Sequence, residues 1–349
     1  MNSVQMIEEL VSAFGAPGFE DDVINVAQKY VPQGYKTRRD SMLNFYIEAG
    51  ASEKPVVVLD AHTDEVGLMV QAVRKNGTLV VAPLGNWVPA TLYGQRMMIK
   101  NLDNKYITGV IASPMYHFGG GENETLSIEG LALDVGASSA DEVSEVFRIA
   151  PGCPITPKVV FERHGDLMFA KAFDDRIGCA VVLDVLNRIS GEELSVNVTG
   201  VLTSQEEVGY RGAAVAARSV NADVAICFEG APADDTLLEP HMAQTVMGKG
   251  PMLRFMDSDM IANPRFMRFA LEVAKKLGIP VQQAVRTRSG TNGTAFHLSN
   301  KGVPTIVIST PVRYVHSANS IASLNDYHKT VDFAAEIVKS LNPVIIEGF

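Results

Sequence analysis

The sequence predicts a layered α/β protein that carries a small β-rich insert. Three observations predict it. Residues 55–60, 196–202, 224–228 and 304–309 are short continuous apolar runs, the pattern of strands buried on both faces. Segments with helical spacing separate them, as where Phe266, Phe269, Ala270, Val273 and Leu277 recur along one face. From about 67 to 165 the pattern changes to short, alternating segments bounded by Gly and Pro.

Taken in order, residues 2–14 and 20–30 read as helices, split by the breaker-rich loop Gly15-Ala16-Pro17-Gly18. The first buried run follows. The insert, residues 68–164, is expected to hold strands near 67–73, 78–82, 97–100 and 106–112 and one helix over 139–147. Within it, Gly119-Gly120-Gly121 reads as a flexible loop, because no lysine and hydroxyl residue follow at phosphate-loop spacing. Helices over 176–189, 264–277 and 324–341 complete a larger, discontinuous domain formed by residues 1–67 and 165–349.

Composition excludes several functions. The 349-residue chain is 46% apolar and 20% charged, with a formal charge of −10 and no basic run. Nucleic-acid binding rests on phosphate neutralisation and is not expected. No apolar stretch approaches the ~18–20 residues of a membrane span. The first residues lack the basic-then-apolar layout of a signal peptide, so a cytoplasmic protein is expected. Cys153, Cys179 and Cys227 have no paired spacing and read as buried thiols, not as a zinc site or a disulfide framework.

Acids and imidazoles gather at the ends of the buried runs. The first run leads to His62, Asp64 and Glu65, the second to Glu206 and Glu207, the third to Glu229, and the fourth to His316. Asp174 and Asp175 precede the helix after the insert. In open α/β sheets, ligand sites lie beyond the carboxyl ends of the strands, so these groups are expected to share one crevice. Histidine and carboxylate without thiolate suit zinc, cobalt or manganese. The set exceeds what one ion needs, so two divalent ions with a shared carboxylate and an activated water are expected. Asp175 also suits a helix N-cap, and Asp234 and Asp235 are rivals to Glu229 should the strand register differ. His117, His164, His241, His297 and His328 are assigned no ligand role. Arg286 and Arg288, beside the glycine-rich stretch 289–297, read as surface ion-pair residues.

The stretches His62-Thr63-Asp64-Glu65-Val66-Gly67, Phe173-Asp174-Asp175-Arg176-Ile177-Gly178, Glu206-Glu207-Val208-Gly209 and Arg313-Tyr314-Val315-His316-Ser317 resemble the glutamyl and tetrahedral aminopeptidase family of cocatalytic metallopeptidases. Residues 13–20, 133–139 and 302–305 extend the resemblance over nearly the whole chain. It implies a mixed-sheet, phosphorylase/hydrolase-like α/β/α catalytic domain with a PDZ-like β-rich insert that supports dimerisation. It also implies homo-oligomers built from dimers into dodecamers, and short peptides as substrates. By resemblance, His62 and Glu229 hold one ion, Glu207 and His316 the other, and Asp174 bridges them. Asp64 orients His62, and Glu206 is the general base and acid. The chain departs from the family at Glu229, where aspartate is usual, and at Asn319, where an acid is common.

The leading expectation is therefore a metal-dependent aminopeptidase. A metal-dependent deacylase or amidohydrolase acting on small N-acyl compounds is the alternative. A glycosidase would need two carboxyls flanking the bond and no metal. A non-catalytic scaffold would have no use for the proton-handling glutamate.

Overall fold

Four parallel strands form the centre of the molecule, and their ends carry the acids and imidazoles. The computed structural model describes residues 2–50, 53–112, 127–128 and 130–349; His117 and the Gly119–Gly121 stretch lie outside them. Asn197–Thr203, Val56–His62, Val224–Pro232 and Thr305–Arg313 pair in that order, each parallel to its neighbour. Antiparallel strands flank them, giving a mixed sheet of eleven strands among the described residues. Phe45–Glu48 and Lys36–Arg39 extend one side; Ser320–Ser323, Leu167–Ala170 and Glu162–His164 extend the other. Met252–Met256 runs antiparallel against Thr305–Arg313.

Both sheet faces are covered, as a parallel centre requires. A side chain at Gly200 would strike Leu186 and Val182 of the helix Phe173–Ile189, which packs on helices Ser3–Ser12 and Leu324–Ser340. Thr203, of opposite parity on the same strand, meets Asn292 ahead of helix Gly293–His297. The helices stop and start on local signals. Asn263 caps Pro264–Leu277, which ends at left-handed Gly278, and Ser323 caps Leu324–Ser340. Among the described residues, no helix is long and apolar enough to cross a membrane.

A closed six-stranded barrel branches from the sheet at Gly67. It is formed by Gly67–Val73, Leu79–Leu84, Leu133–Asp134, Tyr106–Ile111, Arg96–Lys100 and Pro154–Pro157. It has its own core, with Leu68, Val81, Met97, Ile99, Leu133 and Ile155 at its centre. Gly67 sits where a Cβ would lie 2.7 Å from the Ile155 carbonyl. Closing the barrel against the first site loop therefore demands glycine there.

Candidate metal centre

Register brings the site together. His62 lies two residues beyond Asp60, and Glu229 two beyond Cys227; Asp60 and Cys227 are paired, so His62 and Glu229 end level on one face. His62 is also opposite Thr203, whose strand runs directly into Glu206 and Glu207. The Thr63 amide donates to the Thr203 carbonyl at 2.7 Å and continues the pairing past the strand end.

Asp174 lies between the two imidazoles. Its Oδ1 is 3.2 Å from His62 Nε2, and its Oδ2 is 3.4 Å from His316 Nε2. His62 Nε2 is also 3.8 Å from Glu229 and 3.9 Å from Glu206, while His316 Nε2 is 3.3 Å from Glu207. Three ligand-like groups result among the described residues: His62 with Glu206 and Glu229, Asp174 with Glu207 and His316, and Asp174 with Asp175 and Glu229. Within each, the candidate donor atoms lie within 4.8 Å of one another. Six of the seven residues expected at the site fall in these groups, and the seventh, Asp64, lies against His62. His164, His241, His297 and His328 do not belong to these groups, and Asp234 and Asp235 are drawn away by ion pairs with Arg286 and Arg313 at 2.8 and 2.7 Å.

The loops that present these groups are locked. Asp64 is fully buried and accepts the backbone amides of Glu206 (2.9 Å) and Glu207 (3.0 Å), with Oδ1 3.4 Å from His62 Nδ1. Asp175 accepts the amides of His62 (3.2 Å) and Gly178 (3.0 Å), so it caps a helix and anchors the first strand end at once. Buried Glu65 binds Lys171 and Arg176, and Arg176 donates to the Leu10 carbonyl at 2.7 Å. Glu20 accepts from the Gln205 amide at 3.1 Å. Ala172, Gln205, Tyr210, Tyr314 and His316 all adopt left-handed backbone conformations around the site. Non-glycine residues in that region concentrate where surrounding contacts over-determine them, as here.

Sequence reasoning missed Glu20, the Glu65–Lys171–Arg176 cluster, the amide-holding role of Asp64, and Arg254, which lines the cleft from a neighbouring strand. The only advance signal for the buried ion cluster was opposite charge beside the expected ligands, at Glu65 and Arg176.

The electrostatics call for cations. Burial raises the Glu229 carboxyl to about 8, with the Asp174 charge adding to it. Burial likewise raises Glu206 and Glu207. Burial opposes charge on His316, but the carboxylates of Glu207 and Asp174 prevail and lift it to about 11. Glu207 Oε1 is buried without a hydrogen-bond partner. Crowded acids in a desolvated site, with an orphaned oxygen among them, are what divalent cations relieve. Imidazole and carboxylate donors fit zinc, cobalt or manganese. The groups open onto a cleft of about 610 Å³ that also includes Tyr210, Leu237, Arg254 and Gly290.

The M42 glutamyl aminopeptidase family matches residues 44–333. The chain belongs to this family. It is a hydrolase of the aminopeptidase class, and M42 peptidases are metallopeptidases. Among relatives, it is 30% identical to the glutamyl aminopeptidase of Lactococcus lactis over 98% of this chain and 97% of that protein. It is 29% identical to the lysyl aminopeptidase of Pyrococcus furiosus over 97% of this chain and 98% of that one. A TET aminopeptidase structure from a marine sediment archaeon of the Thaumarchaeota superposes with a TM-score of 0.94 at 33% identity, covering 100% of this chain and 99% of that one.

Proposed function

We propose that this M42 enzyme removes the N-terminal residue from short peptides with two divalent ions and Glu206 as the proton carrier. The observation that carries the reading is Asp174, whose two carboxylate oxygens each face a different imidazole. In this reading His62 and Glu229 would hold one ion and Glu207 and His316 the other, with Asp174 available to both. Zinc or cobalt suits these donors, as does manganese. When bound, the ions supply Lewis acidity toward the scissile carbonyl and toward an attacking water.

The protein's own residues do the rest. Glu206 is buried beside His62, and burial raises its proton affinity. It accepts the proton of the attacking water and returns it to the leaving amine. Asp64 keeps Glu206 in place by accepting its amide, and the Asp64 backbone carbonyl, 3.1 Å from His62 Nδ1, orients the ring with Nε2 toward Asp174, Glu206 and Glu229. The free amino terminus of the substrate is drawn to the acidic wall formed by Glu206, Glu229 and Asp174.

We also read the barrel, with residues 68–164 as its domain, as a PDZ-like dimerisation unit, and the chain as a homo-oligomer built from dimers into dodecamers. Leu237, which lines the cleft, and Leu238 and Met242, which follow it in sequence, are exposed apolar side chains, the kind of surface that another copy covers. Free, buried Cys153, Cys179 and Cys227 fit a reducing, cytoplasmic setting. Relatives at nearly equal identity are named for glutamyl and for lysyl substrates, so the family leaves the preferred N-terminal residue open.

The test is a parallel assay of aminoacyl anilides and N-acyl amino acids, using protein stripped by chelator and reloaded with zinc or cobalt. Metal-dependent release from free-amine substrates alone supports the reading. Turnover confined to N-acyl compounds makes the protein a deacylase and overturns it.

A further inference from the structure

We propose that the barrel completes the cleft through Asn86, whose carboxamide binds the peptide main chain just beyond the scissile bond. The inference rests on the aminopeptidase reading and assigns a residue that holds the leaving half of the substrate.

A turn of the barrel presses against the candidate metal centre. Strand Leu79–Leu84 runs into Gly85, whose backbone is left-handed at φ +84°. A Cβ there would lie 3.2 Å from Glu207 Oε2 and 2.9 Å from Val66 Cγ1. Glycine is what lets the turn approach Glu207 this closely. Trp87 anchors the other side. Its ring is buried in the barrel core, and Nε1 donates to the Gly67 carbonyl at 2.8 Å. Asn86 stands between these two anchors, so packing on both sides sets its backbone position.

Asn86 lines the cleft with Asp174, Glu207 and His316. Among the described lining residues it is the one contributed by the barrel and the one carboxamide. It is exposed, and its side chain has no hydrogen-bond partner among the described residues. A carboxamide donates through its NH2 and accepts through its oxygen, so it complements the C=O and N–H of a peptide unit. Its acidic and imidazole neighbours are the proposed metal ligands and are committed elsewhere.

Its end of the centre is the leaving side. In the proposed reading the free amino terminus is drawn toward Glu206 and Glu229, the acids beside His62. Asn86 borders Glu207, which lies 3.3 Å from His316 at the other end. A peptide whose first residue sits by Glu229 therefore carries its second residue past Asn86. The rival role, in which the turn merely steadies Glu207 and touches no substrate, makes a different prediction.

The experiment compares kcat/KM for leucyl-glycyl-glycine and for leucyl anilide on zinc- or cobalt-loaded protein. The tripeptide offers a carbonyl and an N–H beyond the scissile amide; the anilide offers an aromatic ring. Loss of one or two neutral hydrogen bonds in Asn86→Ala is expected to lower the tripeptide-to-anilide ratio by about 5–50-fold relative to the wild type. Metal content, measured by plasma mass spectrometry, should match the wild type. An unchanged ratio overturns the proposal, whether both rates hold or both fall. A joint fall with lost metal assigns Asn86 to steadying Glu207 instead. These outcomes leave the aminopeptidase reading standing. No turnover of either substrate by the loaded wild type sinks that reading, and the proposal with it.

Discussion

Asp64 Oδ1 accepts the backbone amide of Glu206 at 2.9 Å, so the residue placed to orient one imidazole also holds the loop that carries the proposed base. Its Oδ2 does the same for Glu207 at 3.0 Å. One buried carboxylate thus ties both halves of the centre to a single strand end. Asp64→Asn keeps one acceptor oxygen and turns an amide group toward the other N–H. We expect metal affinity and kcat/KM to fall by about 10–100-fold. Isothermal titration with zinc and steady-state kinetics check this; a variant with unchanged metal affinity contradicts it.

Glu206→Gln separates proton transfer from metal binding. Loss of the general base is expected to lower kcat by about 10²–10⁴-fold. Metal content, read by plasma mass spectrometry, should stay at the wild-type level. Glu206 lies close enough to His62 and Glu229 to be a ligand. Loss of an ion in the variant would therefore reassign it from base to ligand.

Gly230 controls the position of Asp174. A Cβ there would lie 2.6 Å from the Phe173 carbonyl and 2.9 Å from both Asp174 N and Cα. These are backbone atoms that cannot rotate away. Gly230→Ala is expected to cost about 1–3 kcal/mol of stability through overpacking and to displace Asp174, abolishing peptidase activity. Thermal denaturation and rate measurements test both halves. An active variant of wild-type stability would show that Asp174 tolerates the shift.

Glu20 gives the fold a pH signature. Burial, aided by the nearby Asp64 charge, raises its carboxyl to about 8. The folded state therefore favours the protonated form. Its stabilising contribution is full below the ordinary glutamate range and is lost as pH rises toward 8. Between about pH 5 and pH 8 the thermal midpoint of the wild type should fall more steeply than that of Glu20→Gln. Parallel slopes would remove this role from Glu20.

Much of the central sheet was readable because its strands are buried on both faces. Val57, Val58 and Leu59, or Ala225, Ile226 and Cys227, leave no solvent face to interrupt the apolar run. His62, Glu206, Glu207 and Glu229 stood out because each closely follows such a run, whereas Asp174 was marked by its place before a helix. The flanking strands were not readable. Lys36–Arg39 is wholly polar and lies at the sheet edge, where cross-strand pairing and not burial makes it a strand. Met252–Met256 interrupts its apolar residues with Arg254, so neither the strand nor its place against Thr305–Arg313, one strand away from Glu229, was visible in the periodicity. Asp64's grip on two amides depends on a loop crossing from one strand end to the next, a relation between residues 142 and 143 positions apart. No local pattern encodes that distance. Glu20 is the same case, acting on Gln205 from 185 residues away.

The central claim is a pair of cations sharing Asp174. The most direct measurement is anomalous diffraction from crystals equilibrated with zinc or cobalt. We predict two peaks in each subunit, one against His62 and Glu229 and the other against Glu207 and His316, with Asp174 contacting both. A single peak, or peaks that leave Asp174 uncoordinated, would contradict the account.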